Sequence, residues 1–178
     1  MQNEIVRTLM SKSRYTLKSK AANEYQAKIA TPFAILGILI QEDQLTDIRY
    51  LPLNTRLLSP QNALAAEVCK QLQEYVVNPN FALDLSLCAI GTIHQQRTWQ
   101  VIQTIPVGVT CSYSDIATLL HSSPRAVGQA CGANRLPIFI PCHRVISRDG
   151  QLGGFMNANY GFPLTIKRWL LNHESLSA

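Results

Sequence analysis

Apolar and polar positions change rhythm twice along this chain. "EYQAKIATPFAILGILIQEDQLTDIRYLP", residues 24–52, carries apolar runs rich in Ile, Leu and Tyr, interrupted by Thr-Pro, a glycine and the polar "QEDQ". This pattern predicts antiparallel strands joined by turns. "SPQNALAAEVCKQLQEYVV", residues 59–77, then spaces Leu64, Val68, Leu72, Tyr75 and Val76 at helical intervals, with Ser59 as candidate cap and Pro60 at the first helical position. "NPN" stops that helix, and "FALDLSL" alternates as one further strand does.

From Gly91 onward the pattern is helical, broken by short loops. "HQQRTWQVIQTI" ends at "PVG"; "SYSDIATLL" follows with Ser112 or Ser114 as possible caps; Ser123-Pro124 opens "PRAVGQACGA". Two short helices around a tight turn suggest a helix-turn-helix. "LPIFIP" reads as an extended, proline-bounded segment, "SRDGQLGG" as a turn, and "PLTIKRWLLNHE" as a final amphipathic helix. Residues 1–20 mix Lys, Arg and Ser without periodicity and read as a tail or a poorly packed first turn.

Composition narrows this picture. With 178 residues, 47% hydrophobic and 15% charged, the chain is an ordinary globular protein of one large or two small domains. No apolar run approaches the roughly 20 residues needed to span a bilayer, and the N-terminus lacks a secretory pattern, so cytoplasm is the expected compartment. Five cysteines without a CxxC pair argue against a disulfide framework or a Cys-rich zinc site; no metal and no cofactor are expected, and most of the thiols should be reduced and in the core. Residues 1–90 hold nine Lys+Arg against eight Asp+Glu, a net of +1, whereas residues 91–178 hold seven against three, a net of +4. The second half therefore leans toward a polyanion.

The chemistry concentrates in "IFIPCHRVI", residues 138–146. A free thiol is only slightly ionised at neutral pH, so a nucleophilic Cys142 needs a base or a positive neighbour. His143 is adjacent, but in an extended segment consecutive side chains point to opposite faces. A bridging water, or a sharp turn beginning at Cys142, is required for the two to cooperate. Taken alone, Cys142 reads first as a core thiol, Glu174 as an exposed helix-end acid, and Tyr113 as an aromatic at a helix start.

"PCHRV", preceded by "NRLPIFI" and followed by "DGQLGGF" and "KRWLLNHE", closely resembles the active-site region of the O6-alkylguanine-DNA alkyltransferases, the methylated-DNA-protein-cysteine methyltransferases. The likeness extends upstream through "GTIHQQRTWQVIQTIPVGVTCSYSDIA" and "SPRAVGQACGAN", spanning about residues 91–175. It implies an α+β chain: residues 1–88 an RNase H-like α/β domain with antiparallel strands and a helix, residues 89–178 a helical, winged-helix-like domain with the helix-turn-helix. It further implies single-turnover DNA repair by a monomer acting on double-stranded DNA. Cys142 would take the alkyl group from O6-alkylguanine, and from O4-alkylthymine, into a stable thioether. His143 would take the thiol proton through a water, Glu174 would orient His143, Asn134 would brace the turn, and Tyr113 would protonate the leaving base and crowd the phosphate. Arg125 would fill the vacancy left by the flipped nucleotide, with Ala126, Gly128 and Ala130 letting their helix approach the minor groove. Arg144 would add positive potential toward DNA, and Val145, Phe155 and Met156 would line the base pocket.

The sequence departs from the family pattern in three places. The segment between Tyr113 and Arg125 is slightly shorter; the stretch "MNANYGFP" after "GGF" is several residues longer; and Met156 stands where a small residue is common, with Phe155 in place of tyrosine. That loop keeps a second reading open, a non-enzymatic sensor of alkylated DNA. A third, thiol-dependent acyl hydrolysis by Cys142, His143 and Glu174, leaves the basic helix pair without a purpose.

Overall fold

The computed structural model describes residues 24–87 and 89–175. The expected N-terminal tail and Cys88 lie outside the described residues.

Strands β1 (Ala27–Ala30), β2 (Ile35–Gln41) and β3 (Gln44–Leu51) form an antiparallel meander in chain order. The β2–β3 turn is Glu42-Asp43, both with positive φ, the mirror-image geometry that matches strand twist. Because β2 is almost continuously apolar, it is buried along Ile35–Ile40 on both faces. Helix α1 (Ala63–Val77) packs on β1 and β2 through Ala65, Val68, Cys69, Leu72 and Tyr75.

The cap of α1 is Asn62, whose side chain accepts from the Ala65 amide, and not Ser59. Leu58 exchanges backbone hydrogen bonds with Lys28, and the Gln61 amide donates to the Gln26 carbonyl. Residues 58–61 therefore lie extended beside β1, and the helix starts after them. "FALDLSL" keeps its alternating burial but joins no sheet. Its backbone bonds at Asp84 go to the Gln71 side chain of α1.

The second half is helical. Helix α2 (Ile93–Gln103) begins with a Thr92–Gln95 capping box. Helix α3 (Tyr113–Leu119) is capped by Ser112, reciprocated by Asp115, and α4 (Pro124–Gly132) by Ser123 with Pro124 at its first turn. Helix α4 packs against both α2 and α3, and Trp99 of α2 donates to the Ala130 carbonyl at 2.8 Å. Between α4 and the cysteine, "LPIFIP" is not extended. The Ile140 amide reaches back to the Leu136 carbonyl, and Ile138 adopts φ +74°, a costly conformation for a β-branched residue. A single 3₁₀ turn, Cys142–Arg144, follows. Strand β5 (Val145–Ile146) then pairs in parallel with β4 (Cys111–Ser112), and α5 (Phe162–Ser175) closes the chain.

One continuous apolar core runs from Leu36 and Leu72 through Val127 and Ile140 to Leu170. Polar ties cross it as well: the Ile48 amide donates to the Arg135 carbonyl, Arg135 pairs with Asp47 at 2.9 Å, and His173 meets the Tyr75 carbonyl at 2.9 Å. Among the described residues no helix is long and apolar enough to cross a membrane.

Candidate active site

The sharp turn that Cys142 and His143 require is the 3₁₀ turn itself. The Cys142 amide donates to the Ile140 carbonyl at 2.7 Å and the Arg144 amide to the Pro141 carbonyl at 2.9 Å. Tight winding separates the two side chains without placing them on opposite faces of a strand. Asn134, just past α4, donates from Nδ2 to the Ile140 carbonyl at 2.9 Å and to Cys142 Sγ at 3.2 Å, while its Oδ1 accepts from the Leu136 amide. It thus braces the loop and touches the sulfur at once. Cys142 is 6% exposed, at the base of a hollow of about 410 Å³ walled by α4 on one side and residues 154–159 on the other. That volume falls within the roughly 300–1,000 Å³ typical of small-molecule sites.

Beneath the cysteine lies a buried polar cluster. His143 Nε2 sits 2.8 Å from Glu174 Oε1. The same oxygen accepts from Tyr75 at 2.8 Å and from Arg144 Nη2 at 2.9 Å; Arg144 Nε donates to Oε2 at 2.8 Å and Nη1 to the Ile105 carbonyl at 2.6 Å. Burial pushes the Glu174 carboxyl up, but the hydrogen bonds from His143 and Arg144 outweigh it and hold the acid ionised, far below its usual range. An ionised Oε1 can only accept, so Nε2 carries the hydrogen and His143 Nδ1 is left with a lone pair. Nδ1 is buried and has no hydrogen-bond partner among the described residues.

Burial also lowers the His143 pKa, opposed by Glu174, so the imidazole is neutral at neutral pH. The Cys142 thiol is raised by burial, against the opposing pull of the Asn134 hydrogen bond and the Lys167 charge. The resting site is therefore a neutral thiol beside a neutral imidazole with one open basic nitrogen.

Tyr113, first residue of α3, donates to the Gly154 carbonyl at 3.0 Å, in the wall of the hollow. Arg125 is exposed and lines the hollow's rim; Ala126 and Gly128 are half-buried on the same helix, and Ala130 is buried beneath. Phe155 is buried against Tyr50, with centroids 6.0 Å apart, and Met156 projects into the hollow at φ +53°.

Two placements differ from expectation. Arg144 is 8% exposed and its guanidinium is committed to Glu174 and Ile105, so it faces the interior and not DNA. Val145 is wholly buried outside the hollow, where its carbonyl accepts from Lys167 at 2.6 Å.

Lys167 itself was not singled out by sequence. It is fully buried, and Nζ donates to the carbonyls of Val145, Leu152 (2.5 Å) and Gly154 (3.1 Å) and lies 3.5 Å from the Tyr113 hydroxyl. Burial lowers its pKa to about 8. The available signal was spacing: Lys167 and Glu174 lie two helical turns apart on the face that carries Leu170. Tyr75, expected only as a core residue of α1, adds a hydroxyl to Glu174.

Residues 94–176 match the family model described as 6-O-methylguanine DNA methyltransferase, DNA binding domain. The chain is 38% identical over 165 residues to the constitutive methylated-DNA–protein-cysteine methyltransferase of Bacillus subtilis, covering 86% of this chain and 96% of that protein. Among solved structures it superposes on the O6-methylguanine methyltransferase of Mycobacterium tuberculosis with a TM-score of 0.70 and 30% identity, covering 87% and 95% of the two chains. It also superposes on the same organism's OGT in complex with DNA, with a TM-score of 0.69 and 34% identity, covering 85% and 92%. With 38% identity to a relative matched over 96% of its length, the chain belongs to the methylated-DNA–protein-cysteine methyltransferase family.

Proposed function

We infer that this protein repairs alkylated DNA by moving the alkyl group from O6 of guanine, and from O4 of thymine, onto Cys142. The observation that carries this reading is the buried His143–Glu174 pair, His143 lying in the turn that begins at Cys142, with its Nδ1 left without a hydrogen-bond partner among the described residues. In the step we assign, Nδ1 takes the thiol proton through a bridging water, and Glu174 stabilises the resulting imidazolium. Sulfur attacks the alkyl carbon, the carbon–oxygen bond breaks, and its electron pair returns to the base, which takes a proton from Tyr113. Tyr113 must exchange its bond to Gly154 for one to the base as the nucleotide enters. Since a thioether has no easy hydrolytic exit, each molecule acts once.

The reacting carbon lies within a stacked duplex, so the nucleotide must turn out of the helix at a cost of a few kcal/mol. Arg125, exposed at the rim of the hollow, fills the gap in this reading, with α4 in the minor groove. The N-terminal half, through its described residues 24–87, serves as scaffold to the DNA-binding and acceptor half, and the chain acts as a monomer. A nucleophile that must stay reduced fits the cytoplasm.

The test is a titration against excess duplex containing O6-methylguanine. Transfer should stop at one methyl per chain with guanine restored. Continued turnover, or none while the duplex binds, would reject the reading.

A further inference from the structure

Cys142 borders two hollows. One, of about 410 Å³, opens between Arg125 and the 154–159 loop; the other, of about 350 Å³, runs toward Arg49, Tyr50 and Leu51 of β3. Met156 and Asn157 line both, as does Gly132 at the end of α4. The divider is a tight turn. Phe155 and Ala158 exchange backbone hydrogen bonds of 2.9 Å, and the two residues between them, Met156 and Asn157, have φ of +53° and +60°. This is the mirror-image two-residue turn, which Asn tolerates and Met does not favour.

One side-chain bond fixes the turn to the helix: Asn157 Nδ2 donates to the Gly132 carbonyl at 3.1 Å. A Cβ on Gly132 would fall 1.9 Å from Asn157 Oδ1, so this approach needs glycine.

Resting on the alkyl-transfer reading above, we propose that the Asn157–Gly132 bond is a specificity latch. By tying the turn to α4 it keeps the two hollows apart at Cys142, so that a methyl group meets the sulfur easily while a bulky aromatic substituent needs the latch open. Asn157 is a positioning residue here; it touches neither sulfur nor carbon. Because the latch lies within the longer 155–163 stretch, size selection belongs to this chain's own loop.

The experiment compares single-turnover transfer from duplexes carrying O6-methylguanine and O6-benzylguanine. Asn157→Asp keeps the side chain's size and removes its donor; Asn157→Ala removes both; Gly132→Ala displaces the latch from the opposite side. All three should raise the benzyl-to-methyl rate ratio by about three- to tenfold, the worth of one hydrogen bond. A purely structural role would lower both rates together and leave the ratio unmoved, and that result overturns the latch. If the unsubstituted chain transfers methyl but no variant shifts the ratio, the latch alone fails. If the unsubstituted chain transfers nothing, the alkyl-transfer reading fails and the latch with it.

Discussion

Below Cys142, Glu174 is 1% exposed and accepts hydrogen bonds from His143, Tyr75 and Arg144. Beside it, the Met156–Asn157 turn is exposed and reaches α4 through one side-chain bond. The floor is closed and multiply bonded, as a group that must hold one ionisation state requires. The wall is open and lightly held, as a surface that must admit a nucleotide requires. Changes in the floor should therefore cost stability and chemistry together, and changes in the wall should alter which substrate reacts while the fold persists.

The largest effect is expected at Glu174. Glu174→Ala leaves the Arg144 guanidinium buried without its partner and should destabilise the protein by about 3–5 kcal/mol in urea unfolding, with transfer lost. Acid sensitivity follows from the same cluster. The Glu174 carboxyl is lowered from 4.5 when folded, so its contribution is present above pH 4.5 and is lost as pH falls through the folded value. His143 is lowered from 6.5, so its contribution likewise holds above pH 6.5 and declines on acidification. The urea midpoint should fall below pH 6.5 and fall further below 4.5, and Glu174→Gln should remove the lower part of that decline. A midpoint flat through this window would contradict an ionised Glu174.

Lys167→Met comes next. It keeps the side-chain length but deprives the Val145, Leu152 and Gly154 carbonyls of their donor, at roughly 1–3 kcal/mol for a buried polar group left unmatched. Since the Gly154 carbonyl lies in the pocket wall and Tyr113 is at hand, transfer should slow more than DNA affinity weakens. Equal losses in a filter-binding and a single-turnover assay would reduce Lys167 to a structural tie.

Arg125→Ala should act on the wall side only. Folding stability should be unchanged within about 0.5 kcal/mol, as for other exposed positions, while transfer from duplex falls roughly tenfold through loss of support for the everted nucleotide. Binding of the unsubstituted chain should weaken as salt rises, because phosphate contacts release counterions. The smallest change is expected at Tyr160, which is 84% exposed with its ring in solvent. Tyr160→Ala should leave the urea midpoint in place, and a clear shift would show that the loop is held by more than Asn157.

The same contrast explains what could be read from sequence. Local signals were sufficient where a bond is made within a few residues: Ser112, one of two candidates, and Ser123 cap their helices; the contact of Asn134 with the turn eight residues on was expected only through the family resemblance. They failed where a distant partner decides. Ser59-Pro60 has every mark of a helix start, yet Gln61 is held by Gln26 beside β1 and the cap passes to Asn62. "LPIFIP" has strand composition, but Asn134 and the Leu136 carbonyl fold it into the loop that presents Cys142. Arg144 and Lys167 carry charge that sequence assigns to a surface, and only the placement of Glu174 and of the Val145, Leu152 and Gly154 carbonyls takes them inside. The proposed catalytic set could be named through resemblance to a family; the way its charges are buried could not be read from sequence.

The central claim is that the sulfur of Cys142 is the alkyl acceptor, and peptide mass after reaction with an O6-methylguanine duplex addresses it most directly. One methyl on the peptide containing Cys142, absent in Cys142→Ala although that variant still binds the duplex, is the predicted result. A methyl on Cys131 or another residue, or none on any peptide while the duplex is bound, would contradict it.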